Sequence, residues 1–193
     1  MSLFSHLVSS RLPSEYGRLV IDAFDSGREE QPHIAIYNEG VRKEVVNVRI
    51  HSECITGDLF GSLRCDCGGQ LKSSLKFIDE QGGMLIYLRQ EGRGIGLVNK
   101  LKAYNLQDEG ADTIAANHQL GFETDLRTYE AAVAMLKHFG IQRIHLMTNN
   151  PEKLEAFETS GISIESRIPL IIQSVAENER YLQTKKDDLG HML

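Results

Sequence analysis

The 193-residue chain has no excess of positive charge, no apolar run of membrane length, no internal repeat and no cysteine outside one short segment. Each absence narrows the reading. Twenty-one Lys and Arg stand against 27 Asp and Glu, a formal charge of −6. General nucleic-acid binding relies on basic surface, so no nucleic-acid partner is expected. A local cationic pocket for a small anion remains compatible with that balance. A membrane-spanning helix needs about 20 successive apolar residues, and none is present, so no membrane partner is expected either. Residues 1–7 are too short and polar for a signal peptide. Reduced cysteines without an export signal suit the cytoplasm. With no repeat and no low-complexity linker, the expectation is one domain over 1–193, with 175–193 as a loosely ordered charged tail.

What is present is concentrated. The three cysteines are Cys54, Cys65 and Cys67, in a stretch whose glycines let the chain turn back. Three thiolates gathered in this way suit tetrahedral zinc. A structural zinc site is normally closed by four protein ligands, whereas a catalytic one keeps three and leaves the fourth position to water. Three cysteines with no evident fourth ligand therefore point to a catalytic zinc. A structural zinc completed by His51 or Asp66 stays open at this point, as do cysteines that hold no metal. An odd number suits a disulfide framework badly.

Short β-branched or alternating runs over 18–24, 33–37 and 44–50 predict an N-terminal β-rich portion. The cysteine segment follows the third run. Leucines at helical spacing predict a helix over 71–80, ended by Gly82-Gly83. Thereafter strand and helix alternate: strand 84–88, loop 92–96, helix 97–108, helix 125–139, strand 143–148, helix 151–159 with Asn150 as its cap, and strand 162–172. Such alternation predicts an α/β fold with a mixed, largely parallel sheet flanked by helices.

Two strand-to-helix junctions carry chemistry. Arg89-Gln90-Glu91-Gly92-Arg93-Gly94-Ile95-Gly96 combines backbone N–H groups, close-approach glycines and two arginines, a combination suited to phosphate. It is neither the dinucleotide fingerprint nor a Walker A loop. Thr148-Asn149-Asn150-Pro151-Glu152-Lys153 sets a lysine in a first helical turn, where the macrodipole disfavours a cation by about 0.3–1 kcal/mol unless an anion binds there. Either junction also reads as an ordinary connection with solvated cations. Arg49, His51 and Glu53 make a polar strand end beside Cys54 that serves either a substrate or the cysteines. Spacing alone singles out neither Asp125 and Arg127, at the start of the expected 125–139 helix, nor Tyr104, an aromatic on an amphipathic helix.

Together these stretches closely resemble the GTP cyclohydrolase II family. The resemblance is carried by Arg49-Ile50-His51-Ser52-Glu53-Cys54, Arg64-Cys65-Asp66-Cys67-Gly68 with Gln70-Leu71, and Arg89-Gln90-Glu91-Gly92-Arg93-Gly94-Ile95-Gly96-Leu97. Leu106-Gln107-Asp108, Ala116-Asn117-His118-Gln119-Leu120-Gly121-Phe122, Thr148-Asn149-Asn150-Pro151-Glu152-Lys153 and Gly190-His191 extend it over nearly the whole chain in order. It implies conversion of GTP to a diaminopyrimidinone ribosylamine phosphate with release of formate and pyrophosphate, the opening step of riboflavin biosynthesis. It also implies zinc, Mg²⁺ with the triphosphate, and a homodimer. By resemblance Cys54, Cys65 and Cys67 are the zinc ligands. Arg49, Ile50, His51, Ser52, Glu53, Gln70, Glu91, Gly92, Arg93, Thr113, Thr148 and Lys153 match GTP-contacting positions. Asp125 matches a proton acceptor, Arg127 a proposed nucleophile and Tyr104 a tyrosine of the later ring-opening steps. An alternative role for Arg127 is to stabilise charge on the α-phosphate. Gly69 is smaller than the residue some relatives carry there. The dihydroxybutanone-phosphate synthase often fused to this family has no room in 193 residues.

Overall fold

Seven strands make one sheet in the order β1-β2-β3-β5-β4-β6-β7. The computed structural model describes residues 4–28, 30–38, 41, 44–187 and 189–192. Part of the polar opening segment, 1–3, and two positions of the expected tail, 188 and 193, lie outside the described residues. Strand β1 (His6–Ser14) pairs antiparallel with β2 (Gly17–Phe24), and β2 with β3 (His33–Asn38). Strand β3 in turn lies antiparallel to β5 (Met84–Leu88). The remaining pairs are parallel: β5 with β4 (Val46–Ser52), β4 with β6 (Arg143–Met147), and β6 with β7 (Ser163–Ile168). The mixed α/β sheet expected from the sequence is therefore present, its antiparallel part supplied by the N-terminal strands.

Alternation along β4 divides its side chains between two faces. Val46, Val48 and Ile50 join Ile86, Leu88, Ile144 and Leu146 in a core that packs on Ala131, Ala132, Met135 and Leu136 of helix α5 (Glu130–His138). Full burial of each large aliphatic side chain contributes about 1.5–3 kcal/mol. Asn47 and Arg49 face helix α2 (Cys67–Gln81): Asn47 Nδ2 donates to Gly82 O at 2.9 Å and Arg49 Nη2 to Gln70 Oε1 at 2.5 Å. The chain leaves β4 through the single turn α1 (Ile55–Asp58) and α2 to reach β5 on one side. It then crosses back through α3 (Gly96–Asp108), α4 (Thr113–Gln119) and α5 to β6 on the other. The order reverses at β4, and the crevice at the carboxyl ends of parallel strands beside such a reversal is where α/β sheets bind ligands.

Several elements differ from sequence expectation for identifiable reasons. Most β1 residues are exposed, so the strand shows no buried alternation, and pairing with β2 defines it. The helix expected over 125–139 begins only at Glu130. Asp125 instead accepts the N–H of Arg127 at 3.0 Å, a side-chain-to-backbone bond that competes with helix. Asp125 and Arg127 thus lie on an irregular segment, not at a helix start. Helix α2 starts at Cys67, ahead of its periodic leucines. Strand β7 stops at Ile168 because Pro169 has no N–H for the ladder. Helix α6 (Pro151–Glu155), shorter than expected, is capped as read: Asn150 Oδ1 accepts from Glu152 N at 2.9 Å. Helix α4 escaped the pattern reading, and Asp112 caps it by accepting from Ala115 N at 2.7 Å. The region expected as a loose tail carries helix α7 (Glu179–Asp187). Among the described residues, no helix is long and apolar enough to cross a membrane.

Candidate active site

A cleft enclosing about 1120 Å³, its solvent mouth included, opens at the carboxyl ends of β4, β5 and β6. One end is sulfur. The ligand atoms of Cys54, Cys65 and Cys67 all lie within 4.8 Å of one another, and Cys54 Sγ is 3.7 Å from Cys65 Sγ. Zinc–thiolate bonds of about 2.3 Å at tetrahedral angles set neighbouring sulfurs roughly 3.8 Å apart, so the spacing fits. Gly57 makes it possible. A Cβ there would stand 2.9 Å from Cys65 Sγ and 3.3 Å from Cys54 Sγ. Hydrogen bonds from Cys65 and Cys67 hold Cys54 low, towards thiolate, and Lys100 adds to this. Cys65 is pushed up to about 11 and Cys67 rises as well, in both cases chiefly through sharing a proton with Cys54. Three ionised sulfurs at this separation need a dication, and an all-sulfur donor set selects a soft-ligand metal.

The two candidate fourth ligands are held elsewhere. His51 Nε2 lies 3.0 Å from Asp58 Oδ1. Asp66 accepts from Gln70 Nε2 at 2.5 Å and from Lys185 Nζ at 2.8 Å. Asp58 also accepts from Cys54 N at 3.0 Å and from Tyr87 OH at 2.8 Å, tying the cysteine loop to β4 and β5. Lys100, buried on α3, donates to Cys54 Sγ at 3.0 Å and to Glu91 Oε1 at 2.8 Å. Glu91 Oε2 accepts from Ile55 N at 2.6 Å. The Glu91–Lys100 pair therefore grips Cys54 from both its sulfur and the following amide. Tyr104 OH reaches Thr56 Oγ1 at 3.3 Å, and Thr56 Oγ1 lies 3.7 Å from Cys54 Sγ. Burial raises the Tyr104 phenol, which keeps its proton.

The other end is cationic. Lys153 is buried at 5% exposure and donates to Ile50 O at 2.8 Å. Burial, then Arg49, Arg127 and Lys185, hold its ammonium well below the ordinary value. Burial likewise pulls Arg49 down to about 10. Arg127 differs. Burial lowers it, but Tyr129 and Asp125 more than offset this, so it is held above the usual guanidinium value. Its Nε and Nη2 donate to Asp125 at 2.9 and 2.5 Å. Arg93 sits at φ 59° after Gly92 at φ 61°, and its Nη1 is buried with no partner among the described residues. Bond formation from Leu126 N to Arg93 O at 3.0 Å holds this left-handed turn. Converging cations, of which buried Lys153 and Arg49 have depressed affinities for protons, mark a site for an anion.

The cleft is lined by Arg49, His51, Ser52, Glu53, Gln70, Glu91, Gly92, Arg93, Tyr104, Thr113, Arg127, Thr148, Lys153 and the three cysteines, all singled out by sequence. Two sequence assignments change character. The Ile50 side chain is fully buried in the core and only its carbonyl turns towards Lys153. The Glu91 carboxylate is taken up by Ile55, Gly92 and Lys100. Asp125 stands behind Arg127 and does not line the cleft. Glu53, whose carboxyl is raised by burial, is ion-paired to Arg89 at 3.0 Å. Sequence reasoning passed over Asp58, Lys100, Tyr181, Lys185 and the role of His191. An acid four residues after Cys54, and a lysine on the buried face of α3, were the available signals.

A model of the GTP cyclohydrolase II family matches residues 5–169. The GTP cyclohydrolase-2 of Campylobacter hominis is 55% identical over 184 residues, covering 95% of this chain and 93% of that protein. The GTP cyclohydrolase-2 of Picrophilus torridus is 53% identical over 185 residues, covering 95% and 96%. The riboflavin biosynthesis protein RibBA of Chlorobium phaeovibrioides is 50% identical over 193 residues, and this chain spans 47% of its length. Among solved structures, RibBX, a two-domain 3,4-dihydroxy-2-butanone 4-phosphate synthase from A. baumannii, aligns with a TM-score of 0.51 at 18% identity. That alignment covers 90% of this chain and 41% of that one, a likeness of fold alone.

Proposed function

The chain belongs to the GTP cyclohydrolase II family, and on that premise we propose that its cleft binds GTP with the guanine towards the cysteines and the triphosphate among the buried cations. It is an enzyme of this type, hydrolysing GTP in riboflavin biosynthesis. The products are 2,5-diamino-6-(5-phosphoribosylamino)pyrimidin-4(3H)-one, formate and pyrophosphate. One observation carries the reading: a three-thiol cluster and a set of buried cations share a single cleft.

Cys54, Cys65 and Cys67 hold one zinc ion. When bound, zinc supplies a Lewis acid that brings the pKa of water near neutrality. Lys100 and Glu91 fix the Cys54 sulfur. Asp58 fixes its backbone. Tyr104 keeps a proton on its phenol and donates it as a hydrogen bond to the nitrogen or oxygen at the reacting imidazole carbon of the guanine. Arg93, Arg127 and Lys153 stabilise charge on the triphosphate, most strongly as the α-phosphate is attacked. The Asp125–Arg127 geometry supports a cationic role for Arg127, because a carboxylate partner strengthens its hold on the proton that a nucleophile must lose. Mg²⁺ arrives with the triphosphate, since it is ordinarily held by phosphates and water.

The chain acts as a single domain in a reducing cytoplasm, a setting supported by its free cysteines. A homodimer is supported by exposed Leu59, Phe60 and Val98, at 72%, 78% and 68%. The deciding experiment incubates pure zinc-loaded protein with GTP and Mg²⁺ and quantifies formate and pyrophosphate. Stoichiometric release of both is expected. Pyrophosphate without formate would mean that the formyl group is not released, as in an enzyme that opens the ring but keeps that group, and neither product would overturn the reading.

A further inference from the structure

Helix α7 buries an unusual face. A helix docked for stability alone buries an apolar stripe, yet among the described side chains of α7 the buried ones are Thr184 and Lys185, at 9% and 8% exposure. Lysine is almost never buried without a partner. Lys185 Nζ donates to Asp66 Oδ1 at 2.8 Å, and Asp66 lies between two of the three clustered cysteines. The contact continues inward. Gln70 bonds Asp66 at 2.5 Å, and Arg49 bonds Gln70 at 2.5 Å. The segment after α7 is pinned to the same rim. His191 N donates to Lys185 O at 2.9 Å, and Met192 N to Asn149 O at 2.9 Å, in the loop that leads to Lys153. Tyr181, Lys185 and His191 all line the cleft.

These residues lie beyond residue 169, where the family model stops, although the resemblance itself continues to Gly190-His191. They add a lysine to a wall that already carries Arg49, Arg93, Arg127 and Lys153. The carboxylates lining the cleft, Glu53 and Glu91, are engaged by Arg89 and Lys100. An ammonium has three donors, and Asp66 takes one. Burial lowers the Lys185 ammonium, but Tyr181, Asp66 and Cys67 more than offset this, so Lys185 enters the cleft as a full cation with two donors left for an anion.

We propose that α7 and the turn carrying His191 complete the polyphosphate end of the cleft, with Lys185 and His191 contacting the triphosphate directly. This rests on the assignment of GTP as substrate. Binding of the anion and docking of the C-terminal segment then reinforce each other, since the docked segment supplies contacts that the anion engages.

The test uses full-length zinc-loaded protein, with inorganic tripolyphosphate and guanosine as probes in calorimetric titrations. Lys185→Met is expected to weaken tripolyphosphate binding about tenfold or more, the usual effect of losing a charge-assisted contact. It should raise the KM for GTP by a similar factor and leave guanosine affinity and zinc content unchanged. Lys185→Arg should restore most of the loss. Tripolyphosphate affinity within twofold of the wild type in Lys185→Met overturns the proposal. If leaving Asp66 unpaired prevents folding of that variant, two measurements stand in its place. His191→Ala should weaken tripolyphosphate binding, and tripolyphosphate should slow tryptic cleavage after Lys185 and Lys186 in the wild type. Unchanged affinity and unchanged cleavage overturn it. Wild-type protein that turns over GTP yet shows these null results refutes only this inference, whereas protein that neither binds nor hydrolyses GTP refutes the substrate assignment.

Discussion

A single methyl group at Gly57 is expected to weaken zinc binding while leaving the fold standing. A Cβ built there meets Cys65 Sγ at 2.9 Å, Cys67 Cβ at 3.1 Å and Cys54 Sγ at 3.3 Å. Ordinary non-bonded contact begins at about 3.5–4.0 Å, so the sulfurs must retreat by roughly 0.5 Å. Metal–ligand distances tolerate about 0.2 Å. Overpacking of this kind costs about 1–3 kcal/mol, which in zinc affinity is roughly 5- to 150-fold. The backbone does not share the penalty. Gly57 lies in α1 without a positive φ, and alanine is favoured over glycine in a helix by about 1 kcal/mol. The zinc dissociation constant of Gly57→Ala should be measured by competition with a chromogenic chelator, alongside the melting temperature of the metal-free protein. Gly69→Ala is the control. Its Cβ meets Ile172 Cγ2 at 2.9 Å, the end of a side chain that can move, and it touches no cysteine. Zinc affinity of Gly57→Ala within twofold of the wild type would show that the three thiols do not form the metal centre described here.

Lys100→Met leaves Glu91 buried without its ion pair. Breaking a buried pair costs about 3–5 kcal/mol, and the N–H bonds that Glu91 keeps from Ile55 and Gly92 set the expectation at the lower end. Urea unfolding of the metal-free protein showing a loss under about 1 kcal/mol would contradict this. Tyr104→Phe should slow formate release far more than it raises the KM for GTP, and a pure KM effect would make the residue a packing group. A single turnover with α-³²P-labelled GTP, quenched in acid, should leave no label on the protein, because Asp125 and Tyr129 hold the Arg127 proton in place. Label on Arg127 would restore the nucleophile reading. Burial, with Lys185, Arg127, Arg93 and Lys153 nearby, lowers the docked His191 imidazole to about 3. The undocked group titrates near about 6.5 and binds more protons, so docking is complete above that pH and weakens as pH falls towards 3. The protection factors of the His191 and Met192 amides, corrected for the slower intrinsic exchange at low pH, should therefore fall on acidification in the wild type, and much less in His191→Gln.

The cysteine cluster was legible because metal chemistry restricts ligand type and number, and because Cys54, Cys65 and Cys67 lie within 14 residues of one another. The parallel strands were legible because burial on both faces leaves apolar runs such as Met84–Leu88. The two phosphate-type junctions were legible because glycine, asparagine and proline constrain local backbone geometry whatever surrounds them. None of these signals states how distant segments meet. Lys100 reads as one more lysine on a helix until α3 brings it to Cys54, 46 residues away. Lys185 reads as part of a solvated tail until α7 lays it on Asp66, 119 residues away. Asp125 reads as a helix-starting acid until its bond to the Arg127 backbone stops the helix from forming there. Local preference is set by a residue and its immediate neighbours. Burial of a charge depends on which opposite charge the tertiary structure sets within about 3 Å of it, and that is why the sulfur centre could be read from the chain while its cationic surroundings were decided only by the fold.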